Sequence, residues 1–151
     1  MKKIFIYYSL TGNGDEVASF LGNKGFDVRK VETVKPMPKS FALSIIVGGF
    51  KALINYKDKL NNFDSNIDDY DELVIGSPIW NARFSSPINT VLNELNLKDK
   101  KLSFILYSGS GTSPKATELI KKHWPEAYIV DLKNPKKNKD EIEKLVWKNH
   151  K

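Results

Sequence analysis

The chain contains no cysteine. That single absence excludes disulfides, thiolate catalysis, zinc ribbons and iron-sulfur clusters, so redox chemistry would need a bound cofactor. Histidine is nearly as scarce: His123 and His150 are the two present, both on an expected helix or tail, where solvated surface positions suit them better than catalytic ones. Long hydrophobic runs are also missing. No stretch approaches the roughly 18 apolar residues of a membrane span. The apolar start at Ile4-Phe5-Ile6 is too short for the roughly 7–15 residues of a signal-peptide core. A first strand is the better reading, the cytoplasm is the expected compartment, and no membrane partner is expected.

Acidic residues are outnumbered, 18 against 24 lysines and arginines, for a formal net charge of +6. Part of the excess lies at the end, in Lys133, Lys136, Lys137, Lys139, Lys144, Lys148 and Lys151. A basic balance can serve nucleic acid or an acidic partner, but a lysine-rich solvated helix and tail is the commoner cause. No recognised nucleic-acid motif accompanies the charge, so nucleic acid is not an expected partner.

What is present is ordinary globular material, 40% hydrophobic and 28% charged, with 151 residues that fit one domain, 1–151. The apolar run Ile4–Tyr8 predicts a strand, and Val17, Ala18, Phe20 and Leu21 a helix over 14–23, closed by the Gly22–Gly25 cluster. Residues 26–31 alternate as an edge or half-buried strand. Ser40 caps a second helix expected to run from Phe41 to about Leu60, with Gly48-Gly49 as a place to kink, split or pack closely. Glu72–Gly76 is a buried strand, Ser77–Phe84 a loop, and Ser86-Pro87 opens a helix with Ile88, Val91, Leu92 and Leu95 on one face. Residues 101–107 form a fourth strand and Ser113-Pro114 opens a helix to about Trp124. Residues 127–132 form a fifth strand, and Asn138 with Glu141 makes a capping box for a last helix through Trp147. Five strands alternating with helices call for a parallel sheet covered on both faces, with ligands outside the carboxyl ends of the strands.

Three loops at those carboxyl ends have unusual composition. Ser9-Leu10-Thr11-Gly12-Asn13-Gly14 joins the first strand to the first helix. Its glycines let backbone NH groups converge on an anion, Ser9 and Thr11 add hydroxyls, and the helix points its positive end at the same place. An ordinary hydroxyl-rich turn, with Asn13 capping and Glu16 answering, is the alternative. Ser77-Pro78-Ile79-Trp80-Asn81-Ala82 follows the third strand and Ser108-Gly109-Ser110-Gly111 the fourth. A phospho-receiver is excluded by Tyr8-Ser9 and Gly76-Ser77 where acids are needed. A dinucleotide fingerprint is excluded because Asp15-Glu16-Val17 follows Gly12-Asn13-Gly14, and no Walker lysine is present. Asp68-Asp69 and Asp71-Glu72 read as a solvated strand entry rather than a metal site.

On this frame the three loops resemble those of the flavodoxin family. The resemblance implies a flavodoxin-like three-layer sandwich with sheet order 2-1-3-4-5 and FMN at the switch point between the first and third strands. Residues 9–14 look like the family's phosphate loop, with Gly14 standing where a hydroxyl residue is usual, so weaker phosphate binding is expected. The stretch Gly76-Ser77-Pro78-Ile79-Trp80-Asn81 is similar to the loop that holds the flavin ring. By that likeness Trp80 stacks on the isoalloxazine, and the Asn81 peptide answers the reduced ring at N5; a tryptophan in a helix-sheet seam is the alternative. Ser108–Gly111 offers backbone NH groups to the ring carbonyls. The tyrosine many flavodoxins place in that loop is missing, which leaves one flavin face open, while Tyr107 reads as core. The resemblance implies an electron carrier, expected as a monomer, that serves redox partner proteins and has no catalytic side chain. The open face and basic charge suit an NAD(P)H-dependent FMN quinone or flavin oxidoreductase instead, and loss of the cofactor would leave a binding module.

Overall fold

The computed structural model describes residues 1–145. Strand β1, Lys3–Tyr7, and helix α1, Asn13–Asn23, are followed by β2, Asp27–Lys30, and α2, Phe41–Leu53. Then come β3, Glu72–Trp80, a two-residue β4, Arg83–Phe84, and α3, Ser86–Glu94. The chain continues through β5, Lys101–Ser108, α4, Pro114–His123, β6, Tyr128–Lys133, and a 3-10 helix, Lys139–Lys144.

The sheet runs β2-β1-β3-β5-β6 with all these neighbours parallel, and β4 pairs antiparallel to the end of β3. This is the five-strand order that the resemblance implied, with one short hairpin strand added. Strand pleat divides the core into two layers. Ile4, Ile6, Leu73, Ile75, Phe104 and Leu106 face α3 and α4, against Ile88, Val91 and Ile120. Phe5, Tyr7, Val74, Ile105 and Tyr107 face α1, against Val17, Ala18 and Leu21. Strand β2 is one edge of the sheet, opposite β6, and its Val28 is exposed.

Several elements differ from their sequence expectation. Helix α2 ends at Leu53, not near Leu60, because Asn55 turns at φ 53° and Leu60 leaves to bridge Thr33. The Gly48-Gly49 pair does not split it; Gly48 lets the helix pack closely on Trp80. Strand β3 continues four residues past Gly76, so Ser77–Phe84 is a hairpin rather than a loop. The turn residues Asn81 and Ala82 both have positive φ, 49° and 64°, as a type I′ hairpin requires. Helix α3 takes Ser85, not Ser86, as its N-cap. Asn138 and Glu141 make no capping box: Asn138 donates from Nδ2 to the Lys133 carbonyl, and Glu141 accepts from the Lys133 amide at 2.9 Å. The segment they open is a 3-10 turn, and the expected continuation through Trp147, with Lys148, His150 and Lys151, lies outside the described residues.

Beneath α2, the buried Asp58 pairs with Lys51 at 2.8 Å and accepts from the Ser86 hydroxyl, while its carbonyl accepts from Thr90 at 2.6 Å. A buried carboxylate is tolerable only when so satisfied, and this one anchors α2 beside the carboxyl end of β3. Among the described residues no helix is long and apolar enough to cross a membrane.

Candidate functional site

The strand order brings the carboxyl ends of β1, β3, β5 and β6 side by side. Over them lies a cleft of about 720 Å³, within the range of roughly 300–1,000 Å³ usual for small-molecule sites.

The first loop is organised by its own serine. Ser9 Oγ accepts from the amides of Gly12 at 3.2 Å and Gly14 at 3.1 Å, and Gly12 turns at φ 95° to start α1. These bonds use two of the amides in the loop. The amides of Leu10, Thr11 and Asn13 have no partner among the described residues, and all three residues line the cleft. Asn13 and Glu16 do not cap one another: Asn13 Oδ1 accepts from the Lys136 amide at 3.1 Å, and Glu16 pairs with Lys139.

Gly14 is buried, and its lack of a side chain has a steric cause. A Cβ there would stand 2.6 Å from the Tyr107 hydroxyl and 2.7 Å from a ring carbon of Tyr7. Tyr107 is core, as expected, but it also lines the cleft, and its hydroxyl donates to the Tyr8 carbonyl. Burial, followed by the neighbouring Tyr7 and Asp15, pushes the Tyr107 phenol well above its ordinary range. Burial, with Asp58 and Glu32 behind it, pushes Tyr8 up to about 12. Both phenols are therefore neutral at ordinary pH.

The β3–β4 hairpin contributes Pro78, Ile79, Trp80 and Asn81 to the cleft. Trp80 is half-buried. Its indole meets Tyr8 edge-on at 5.8 Å, and a Cβ on Gly48 would lie 3.1 Å from two of its ring carbons. The tryptophan thus packs in the seam with α2 and still presents surface to the cleft. Ser77 stays behind as structure: its buried hydroxyl bonds to that of Ser85 at 3.0 Å and to the Pro78 carbonyl at 2.7 Å. Ala82 completes the turn.

From the third loop, Ser108 and Gly109 line the cleft. Ser110 and Gly111 do not; they shape the turn, Ser110 Oγ donating to the Thr112 carbonyl at 3.0 Å and Gly111 donating to Ser108 Oγ at 3.0 Å with φ 76°.

Two lining segments escaped the sequence reading. Ser44, Ile45 and Gly49 come from α2, for which the Gly-Gly pair was the one signal. Asn134, Lys136 and Lys137 come from the loop after β6, where the carboxyl-end rule applied equally to the last strand. Asn134 donates to the Ser108 carbonyl at 3.0 Å, which ties this loop to the third one. Among the described residues the cleft has no histidine or carboxylate in its lining; its titratable members are Tyr107, Lys136 and Lys137. Chemically it offers donors to an anion and an apolar wall rather than an acid–base pair.

A sequence profile for the family described as Flavodoxin matches residues 51–149. Among curated proteins no sequence matches the chain. Solved structures share the fold. A candidate flavoprotein from Bacteroides eggerthii superposes with a TM-score of 0.72 at 21% identity, covering 97% of this chain and 99% of its own. One from Bacteroides uniformis gives 0.68 at 18%, covering 94% and 97%. A flavoprotein from Lactobacillus acidophilus, solved in complex with FMN, gives 0.65 at 19%, covering 92% and 97%.

Proposed function

The chain belongs to the flavodoxin family, and from that membership we propose that it binds FMN in this cleft and carries electrons between redox partner proteins. The observation that carries the reading is the convergence of the three loops, with Thr11, Trp80 and Ser108 lining one space. FMN in the Lactobacillus acidophilus relative supports the choice of ligand.

The residues fit the group. Gly12, at φ 95°, and Gly14, where an added Cβ would collide with Tyr107 and Tyr7, hold a tight turn at the start of α1, and the unpartnered amides of Leu10, Thr11 and Asn13 suit a phosphate at a helix N-terminus. Ile79 and Trp80 give an apolar wall for a ring system. Asn81 already holds the positive φ that a peptide rearrangement beside the ring would use. On this reading the third loop offers its Gly109 amide to a ring carbonyl, the Ser108 carbonyl being already taken by Asn134. Bound FMN would supply the electron chemistry itself, and the protein's part is to position it, screen it from water and set its electrostatic surroundings. The formal net charge of +6 favours partners with acidic surfaces.

A second reading, an NAD(P)H-dependent FMN oxidoreductase, is favoured by one observation: Ile45 of α2 lines the cleft while 55% exposed, so that side of the cleft stays open to a second ligand.

Purified protein incubated with FMN and desalted is expected to keep a flavin absorbance band. Trp80→Ala is expected to weaken FMN by about two- to tenfold, as for an aromatic contact of roughly 0.5–1.5 kcal/mol; unchanged affinity would remove Trp80 from the ring site. Rapid consumption of NADPH by the flavin-loaded protein alone would replace the carrier reading with the oxidoreductase.

A further inference from the structure

The loop after β6 folds back over the start of α1. Its backbone is tied down twice, by Asn134 to the Ser108 carbonyl at 3.0 Å and by the Lys136 amide to Asn13 Oδ1 at 3.1 Å. This sets the Lys136 side chain along Gly12: a Cβ on that glycine would stand 2.8 Å from Lys136 Cδ and 2.9 Å from its Nζ. The ammonium therefore lies over the turn that would hold a phosphate.

Its charge is uncommitted. The first turn of α1 carries two acids, and each already has a lysine: Asp15 pairs with Lys30 at 3.0 Å and Glu16 with Lys139. Lys136 has no carboxylate partner among the described residues. An unpaired cation thus sits beside three unpartnered amides at the positive end of a helix. The acids that would repel an anion there are neutralised by other side chains.

We propose that Lys136 is a phosphate-recognition residue, its ammonium pairing with the phosphate monoester of FMN at the turn where Gly14 offers no hydroxyl. The inference rests on the FMN reading above and deepens it. A lysine supplied by the last strand's loop takes over part of what the first loop lacks. It selects the phosphorylated flavin over its neutral counterpart, because charge-assisted bonds to an anion outweigh neutral ones.

The test is fluorescence titration of flavin-stripped protein with FMN and, separately, with riboflavin, for wild type, Lys136→Gln, Lys136→Arg and the charge-matched control Lys122→Gln. Lys136→Gln should raise the Kd for FMN about tenfold and leave that for riboflavin unchanged. Lys136→Arg should restore most of the FMN affinity, and Lys122→Gln should match wild type. Salt should weaken FMN binding to wild type more steeply than to Lys136→Gln. Equal losses for both flavins would reduce Lys136 to a structural role, and an unchanged FMN Kd would remove it from the site; either result overturns this inference and leaves FMN binding standing. Wild-type protein that binds neither flavin would overturn both.

Discussion

Gly14 is a consequence of a tyrosine more than 90 residues away. The hydroxyl of Tyr107 stands 2.6 Å from the place a Cβ would take, with the Tyr7 ring at 2.7 Å and Ser9 Cβ at 2.9 Å. The missing hydroxyl in the first loop is therefore the result of a strand side chain having claimed its space. Gly14→Ala should destabilise the protein by about 1–3 kcal/mol through overpacking, more than the roughly 1 kcal/mol that alanine gains over glycine in a helix. Urea unfolding of the variant checks this, and equal or greater stability would mean that the Tyr107 hydroxyl moves aside freely. In the sequence Gly14 was visible only as a departure from a motif. Its reason lay in a contact between β5 and α1 that no local pattern encodes.

Among the elements, the β3–β4 hairpin has most bearing on the site. The sequence Gly76-Ser77-Pro78-Ile79-Trp80-Asn81 has the proline, serine and asparagine of a loop, yet Ser77 and Pro78 pair in register with Leu106 and Tyr107. Parallel pairing to β5 overrides the local turn composition as far as Pro78, and antiparallel pairing of Ile79 and Trp80 to β4 carries the strand to its end. The turn beyond asks for two left-handed residues and receives Asn81, which tolerates that region, and Ala82 at φ 64°, which does not favour it. Ala82→Gly should stabilise the hairpin by about 0.5–1 kcal/mol after the entropic cost of glycine, read as a raised Tm. A lowered Tm would show that the alanine methyl packs to more effect than its backbone strain. Helix α2 illustrates the converse limit. Its start at Ser40 was legible as a cap, and Ser40 Oγ does accept from the Leu43 amide, but its end was not, because Leu60 is recruited by Thr33 across the chain.

Taken as a whole, the molecule concentrates buried phenols beside its cleft. Tyr7, Tyr8 and Tyr107 are all raised above the ordinary tyrosine value near 10, in each case chiefly by burial; Tyr7 also donates to Asp15 at 2.8 Å. A raised folded-state pKa means that above pH about 10 the unfolded chain releases protons which the folded protein retains, so stability falls with pH there and is flat below it. Chemical denaturation should show constant stability from pH 7 to about 9.5 and a decline above pH about 10. Tyr8→Phe should make that decline shallower. An equally steep decline in the variant would assign it to other groups.

The sequence by itself determined the succession of strands and helices, the parallel sheet they require, and the position of three loops at its carboxyl edge. Those properties follow from periodicity, caps and turn residues, which act within a few positions of one another. Ser9, Thr11, Trp80 and Ser108 could be singled out for the same reason. Only the tertiary structure decided which residues of those loops line the cleft and which, like Ser77 and Gly111, shape it from beneath. It also brought a fourth loop to the site: Lys136 meets Asn13 across a separation of 123 residues. A contact at that range depends on the order in which strands are laid side by side and on the packing that fixes them, not on any feature of the two segments it joins.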